Sequence, residues 1–97
     1  MAERRRPRYR YIVFELESEQ RMSERTVGEL LAAASGRNSI RLIQFENEQG
    51  IVRCIHTAKD EVISGLNGRH RIGGNEVSIK TIGTSGTIRR ARSKFLA

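Results

Sequence analysis

The order in which two kinds of hydrophobic spacing alternate along this 97-residue chain constrains its fold more than any other feature. Apolar residues at every second position, the spacing of a half-buried strand, occur in four segments. Between the first and second segments, and again between the third and fourth, apolar residues recur every three or four positions, as on one face of a helix. The pattern predicts the order β-α-β-β-α-β. The predicted strands are 9–16, 40–45, 51–56 and a segment marked by Val77, Ile79 and Ile82.

Residues that favour helix ends delimit the two predicted helices. Ser23 is expected to cap the first helix and Gly36 to follow its last turn. Thr57 is expected to cap the second helix and Gly68 to stop it. The apolar positions expected to face the core are Val27, Leu30, Leu31 and Ala34 in the first helix, and Val62, Ile63 and Leu66 in the second.

The connections complete the predicted topology. Residues 47–50 form a short polar link ending in glycine, which indicates a β-hairpin, and residues 73–75 belong to a polar loop before the fourth strand. Right-handed crossovers then place both helices on one face of a four-stranded antiparallel sheet and leave its other face free for a partner. The predicted fold is therefore α+β, a ferredoxin-like (RRM-like) sandwich over residues 9–85.

The end of the chain predicts one more element, a short basic C-terminal helix over residues 86–97 capped by Thr84 or Ser85. A helix of that length is marginal alone, so it is expected to need docking or a ligand. The small residues 83–87 suit either a phosphate-binding turn or merely a tight turn. The apolar side of this helix is expected to be Ile88, Ala91 and Phe95.

Positive charge is concentrated at the two ends of the sequence. The net charge is +7, yet residues 11–85 hold nine basic and ten acidic side chains. Residues 1–10 hold five arginines against one glutamate, and residues 86–97 hold four cations and no acid. Such segregation indicates a polyanionic partner, most often nucleic acid, although solvated tails are the alternative. The candidate RNA contacts are Arg4, Arg5, Arg6, Arg8 and Arg10 in and beside an N-terminal arm, 1–8, and Ser85, Gly86, Thr87, Arg89, Arg90, Arg92 and Lys94 at the other end.

Other compartments and partners are disfavoured by the composition. No apolar run approaches the roughly 20 residues that span a bilayer, and no apolar segment follows the basic start as in a signal peptide. The single cysteine, Cys54, agrees with a reducing compartment. A cytoplasmic protein without a membrane partner is expected.

The residues needed for catalysis or metal binding are scarce. Cys54 and His56 lie two apart on one predicted strand and share a face, so Cys54 is expected in the core and His56 at the strand end. No fourth ligand completes a zinc site with them and His70. An acylphosphatase-like enzyme would need a phosphate-cradling loop after the first strand, where Glu17 and Glu19 would repel phosphate. We predict no catalytic residue, no metal site and no cofactor bound by the protein.

Two RNA-binding modules offer partial matches. The RNA recognition motif stacks bases on aromatic residues of its central strands, but the predicted third strand has none. Tyr9 and Tyr11 share a face of the first strand and could stack a base or pack half-buried. The segment Gly83-Thr84-Ser85-Gly86 has the GxxG spacing of a KH loop, but it follows a strand, whereas KH loops join two helices. A stand-alone KH-like or ribosome-associated RNA-binding protein therefore remains the alternative function.

Three segments together resemble one family, that of the archaeal ribonuclease P protein component 2, which also has eukaryotic (Pop-five) members. They are RYIVFE at 10–15, GIVRC at 50–54 and IGTSGTIRRARSKF at 82–95. The Gly-x-Ser-Gly-Thr-Ile-x-Arg stretch is the specific part, and the resemblance runs from about Arg8 to Leu96. The connection 35–39 is short compared with the family.

The resemblance implies a ferredoxin-like fold and a non-catalytic subunit of the ribonuclease P holoenzyme. Such a subunit binds and stabilises the catalytic RNA, which holds Mg²⁺ and removes the 5′ leader from precursor tRNA. The implied partners are the ribonuclease P RNA, precursor tRNA and ribonuclease P protein component 3, a TIM-barrel-like subunit. The implied assembly is a heterotetramer that contains a homodimer of the chain.

Overall fold

A computed structural model describes residues 8–36 and 38–95. Over these residues the chain forms five strands, three α-helices and one short 3-10 turn at His56–Ala58, just before the second helix. In chain order the elements are β1 (Tyr9–Ser18), α1 (Glu24–Ala34), β2 (Ile40–Glu46), β3 (Gln49–Ile55), α2 (Lys59–Leu66), β4 (Gly68–Ile72), β5 (Asn75–Ser85) and α3 (Ile88–Phe95).

The five strands form one antiparallel sheet in the order β2-β3-β1-β5-β4. Strand β1 lies at its centre, with Tyr11 directly opposite Arg53 of β3 on one side and Ser85 of β5 on the other. The predicted hairpin between β2 and β3 is confirmed. Its turn is Asn47-Glu48, both with positive φ as a two-residue hairpin turn requires. The α+β, ferredoxin-like fold predicted from the sequence is confirmed.

The predicted number of strands, four, is wrong, because the polar segment after α2 is strand β4. It pairs only with β5, from Gly68 opposite Ile79 to Ile72 opposite Asn75. Gly73 and Gly74, at φ 55° and 83°, make the two-residue turn between the strands. An edge strand does not need the apolar alternation that marks a strand in the middle of a sheet, so its sequence resembled a loop.

The ends of α1 follow the prediction, whereas the start of α2 does not. Ser23 Oγ accepts a hydrogen bond from Thr26 N at 3.2 Å, and Gly36 follows the helix with φ 69°. Thr57, the predicted cap of α2, lies in the 3-10 turn instead, and Ala58 occupies the N-cap position without a side-chain hydrogen bond. The 3-10 turn connects the end of β3 to α2, so the helix starts at Lys59, later in the sequence than predicted.

The main core lies between the sheet and helices α1 and α2, as predicted. Cys54 is buried in it at 1% exposure, and the rings of Phe14 and Phe45 stack with their centroids 6.2 Å apart. The predicted helix stripes contribute Val27, Leu30, Leu31, Val62 and Leu66 as buried residues and Ala34 and Ile63 as half-buried ones.

The opposite face of the sheet is not free, contrary to the prediction, because α3 packs across its middle. Val13 of β1, Ile51 of β3 and Ala91 of α3 are completely buried there. Tyr11, Ile43 and Phe95 pack around them half-buried. The docking that a short helix needs is therefore supplied by the sheet itself.

A bulge in β5 places a glycine where α3 packs against the sheet. Between the pairs Val13–Gly83 and Phe14–Thr81 the register shifts by one residue, so that Ile82, a predicted strand marker, has no partner and is 37% exposed. The shift puts Gly83 opposite Val13, where the ring of Phe95 lies so close that a side chain at Gly83 would overlap it.

In the part of the chain that the structure describes, no helix has the length and apolar content needed to cross a membrane.

The two glycines inside helices predict opposite effects of the same substitution. A Cβ at Gly65 of α2 would overlap the carbonyl oxygen of Ala34 in α1, whereas one at Gly28 would make only an ordinary 4.0 Å contact with Leu42. Gly65→Ala should therefore lower the free energy of unfolding by about 1–3 kcal/mol, and Gly28→Ala should raise it by about 0.5–1 kcal/mol. Urea unfolding followed by circular dichroism measures both, and a Gly65→Ala protein as stable as wild type would contradict the close helix approach.

The close approach of the Phe95 ring to Gly83 predicts that substitutions at these two residues have coupled effects on the free energy of unfolding. Gly83→Ala should lower the free energy of unfolding by about 1 kcal/mol, since the new methyl displaces the ring. In a Phe95→Ala background the same change should be neutral within about 0.5 kcal/mol, because the obstacle is gone. A double-mutant cycle in urea measures this coupling. Additive effects would show that the two residues are not in contact.

Candidate nucleic-acid interface

The pairing of β1 with β5 brings the two basic ends of the sequence to the same end of the sheet. Strand β1 begins where β5 and β3 finish, since Tyr11 lies opposite both Ser85 and Arg53. The Arg10 guanidinium reaches within 3.5 Å of the position that a Cβ at Gly86 would occupy. Charges that are far apart in sequence are therefore neighbours in space.

Two arginines from the middle of the chain, Arg41 and Arg53, also lie at this end of the sheet. We call Arg8, Arg10, Arg41 and Arg53 the cationic end. Arg41 of β2 lies directly opposite Arg53 of β3, and Arg53 directly opposite Tyr11. The stretch 11–85, near neutral by count, thus contributes Arg41 and Arg53 to this end of the folded protein. The other end of the sheet carries both carboxylates and cations: Arg69 and Arg71 of β4 lie there beside Glu76, together with Glu15, Glu17, Glu46 and Glu48.

Arg41 and Arg53 were missed by reasoning from the sequence. Residues directly opposite each other on antiparallel strands share a face, so Arg41 and Arg53 project from the same face of the sheet at neighbouring positions. The ion pairs between described residues are Arg25–Glu29, Lys59–Asp60 and Arg69–Glu76, none of which includes them. Counting charges along the sequence cannot find such a pair, because it depends on strand register.

The two tyrosines of β1 have different environments. Tyr9 is 37% exposed, and the Arg53 guanidinium carbon lies 4.1 Å from the centre of its ring. Ile55, directly opposite Tyr9, is also exposed, at 41%. Tyr11, two residues on, packs half-buried against the cluster under α3. Of the two possibilities left open by the sequence, half-buried packing therefore holds for Tyr11, and Tyr9 remains accessible.

The turn before α3 is shorter than predicted. Thr84 and Ser85 belong to β5 and pair with Ile12 and Tyr11. The residue that caps α3 is Thr87, whose Oγ1 accepts a hydrogen bond from Arg90 N at 3.2 Å. Its own N–H donates to Ser85 Oγ at 3.3 Å. Gly83, Thr84 and Ser85 thus belong to strand β5, and Gly83 also contacts α3. Only Gly86 and Thr87 connect β5 to α3.

All four cations of α3 are exposed, and Arg92 also has a hydrogen-bond partner in the sheet. Arg89 and Arg90 are exposed in its first turn, and Lys94 is exposed near its end. Arg92 Nε donates a 2.7 Å hydrogen bond to Gln44 Oε1 of β2, which fixes the helix across the sheet. The predicted contacts Arg4, Arg5 and Arg6 lie outside the described residues, whereas Arg8 is tied to the cationic end because its carbonyl oxygen accepts from His56 N at 2.8 Å.

The environment of Cys54 and His56 is that of structural residues. Burial raises the pKa of the Cys54 thiol, and the positive charge of Lys59 opposes the rise only in part, so the thiol stays protonated near neutral pH. His56 begins the 3-10 turn after β3, as expected of a strand-end residue, and its Nδ1 lies 3.3 Å from Arg8 O. Within residues 8–36 and 38–95 no group of three or more His, Cys, Asp or Glu side chains is arranged to hold a metal ion.

Comparison with known proteins identifies the family. The model of the Rpp14/Pop5 family matches residues 10–96. Ribonuclease P protein component 2 of Archaeoglobus fulgidus is 38% identical over 94% of this chain and 91% of that protein, and the protein of the same name from Methanosarcina mazei is 36% identical over 94% and 86%. A chain in the cryo-EM structure of yeast ribonuclease MRP shares the fold, with a TM-score of 0.68 and 13% identity over 88% of this chain and 79% of that one. The matched range takes in the sheet from Arg10 onward, α3, and Arg41 and Arg53 of the cationic end, and the chain belongs to the Rpp14/Pop5 family.

Proposed function

We propose that this chain is a non-catalytic protein subunit of ribonuclease P that binds and stabilises the RNA of that enzyme. The observation that carries the proposal is the convergence of Arg8, Arg10, Arg41 and Arg53 with the start of α3 at one end of the sheet. A surface of this kind favours a polyanion. The relatives named ribonuclease P protein component 2, 38% and 36% identical over nearly the whole chain, support ribonuclease P as the enzyme.

The proposed contribution of the protein is electrostatic. Arginine side chains beside RNA phosphates offset the repulsion between strands that must approach each other, and they release condensed counterions. Folding of the RNA into its active form then requires less Mg²⁺. In the proposal the RNA holds the metal and performs the removal of the 5′ leader from precursor tRNA, while the protein binds no cofactor.

The proposal includes further partners and a location. The relatives' name, component 2, suits a particle with several proteins, and ribonuclease P protein component 3 is the proposed protein neighbour. A homodimer within a heterotetramer and a cytoplasmic location belong to the same proposal. The alternative of a KH-like protein is weakened because the Gly83–Gly86 segment lies mostly within strand β5.

The first test concerns the Mg²⁺ requirement. Adding the protein together with component 3 to the cognate ribonuclease P RNA should lower the Mg²⁺ concentration needed for half-maximal cleavage of precursor tRNA. Cleavage gels over a Mg²⁺ series measure the midpoint, and bovine serum albumin at equal concentration is the control. An unchanged midpoint would overturn the proposed function.

The second test concerns the exposed cations of α3. Replacing Arg89, Arg90 and Lys94 with Gln should make the slope of log K against log salt less steep by about 2–3, since each lost phosphate contact removes about 0.7–0.9. Arg92 is kept because it bonds to Gln44. The matched control replaces Arg25, Arg69 and Arg71 with Gln, which removes equal charge away from the cationic end. Filter binding from 50 to 200 mM KCl distinguishes them, and equal slopes for both variants would refute a role of α3 in RNA binding.

A further inference from the structure

We infer that the cationic end of the sheet holds an unpaired nucleotide of RNA on a platform made by Tyr9, Arg41, Arg53 and Ile55. We call these four residues the platform. The inference rests on the proposed function in taking RNA as the partner, and it adds a specific site and a form of RNA. The platform residues lie on the face of the sheet that carries α3, at the end that α3 leaves uncovered.

Strand register places the four side chains together. Tyr9 lies opposite Ile55, and Arg41 opposite Arg53, so each pair shares a face. Tyr11, opposite Arg53, and Val13, two residues further along β1, occupy the same face and pack with Ala91 under α3. The face is thus covered by the helix up to Tyr11 and is accessible beyond it.

The platform differs from the rest of the described surface in exposing two large hydrophobic side chains next to each other. Three large hydrophobic residues in the described chain are exposed, and two of them, Tyr9 at 37% and Ile55 at 41%, lie opposite each other here. The third, Ile82, is explained by the bulge in β5. The exposed Tyr9 ring, the Arg53 guanidinium over it and the exposed Ile55 side chain together offer planar and apolar groups against which one base can lie.

The two arginines favour an anionic occupant, and the ring of Tyr9 beside Arg53 favours one that also carries a flat ring. Like charges directly opposite on neighbouring strands destabilise a sheet, and no ion pair between described residues compensates Arg41 or Arg53. A phosphate bound by the Arg53 guanidinium, with Arg41 on the same face of the neighbouring strand, would supply negative charge beside the ring of Tyr9. Arg53 already lies over the ring of Tyr9, which places the charged group and the stacking surface within one nucleotide's length.

The geometry favours single-stranded over double-stranded RNA. A base can lie against Tyr9 or the Arg53 guanidinium only if its face is exposed, and in a duplex both faces are covered by neighbouring pairs. The site offers one accessible aromatic ring, in contrast to the two or three of an RNA recognition motif. We therefore expect it to hold one nucleotide without selecting a sequence.

The experiment compares binding of a fluorescein-labelled, unstructured eight-nucleotide RNA with binding of the same RNA as a duplex. Tyr9→Leu keeps an apolar side chain and removes the ring, and it should weaken single-strand binding about 5- to 100-fold while changing duplex binding less than about twofold. Arg53→Gln should weaken single-strand binding similarly. Arg25→Gln, an equal loss of charge on the exposed side of α1, is the matched control and should change binding less than about twofold.

Tyrosine fluorescence supplies a readout that does not depend on affinity. The chain has no tryptophan and two tyrosines, and Tyr11 is half-buried under α3. Saturating unlabelled RNA should quench the emission of the wild-type protein, and most of the quenching should be absent in Tyr9→Leu. Arg53→Lys, which keeps the charge but loses the planar group, should retain the salt dependence and weaken binding to the single strand. Thermal melting of each variant checks that it folds.

The outcomes separate this inference from the proposed function. If wild type binds the single strand and lowers the Mg²⁺ requirement, but Tyr9→Leu and Arg53→Gln bind like wild type without loss of quenching, the platform is overturned and the proposed function stands. Equal losses on single strand and duplex would also overturn it. Weaker association with component 3, with RNA binding unchanged, would make the platform a protein contact. If the wild-type protein binds no RNA, both proposals fail.

Discussion

Strand β1 is hydrogen-bonded along both edges and, in its middle from Ile12 to Phe14, is buried on both faces, and the other elements are arranged around it. Its partners are β3 and β5, which make it the middle of the sheet. Ile12, Phe14 and Leu16 face the core under α1 and α2, whereas Val13 faces the small core under α3. A strand with apolar residues at consecutive positions requires cover on both sides, because apolar surface left in water costs about 25 cal/mol per Å².

The position of β1 also decides where the charges meet. Its first residues lie beside the last residues of β5 and β3, so the N-terminal end of the chain, the start of α3 and the arginine pair Arg41–Arg53 share one end of the sheet. The carboxylates of the second half of β1 and of the β2–β3 turn lie at the other end. Folding therefore adds Arg41 and Arg53 to the cations of the two ends of the sequence, and this cationic end forms through strand pairing rather than through the tails alone.

Helix α3 combines attachment to the sheet with exposed positive charge. It is short and strongly basic, yet it is docked by Ala91, by Phe95 over Gly83 and by the hydrogen bond from Arg92 to Gln44. Arg89 and Arg90 stay exposed in its first turn. Docking offsets the entropy that a free basic helix would lose on binding RNA, so the exposed cations are presented in one orientation.

The sequence by itself determined the α+β, ferredoxin-like fold, the limits of α1, the main core and the basic character of both ends, because these depend on local spacing and on residue type. It was wrong about the polar edge strand β4, the start of α2, the cap of α3 and the free sheet face. Tertiary structure alone decided that α3 covers that face and that Arg41 stands beside Arg53, opposite Tyr11. The physical reason is that pairing register, a bulge and helix docking bring together residues far apart in the chain, and no local pattern records those distances.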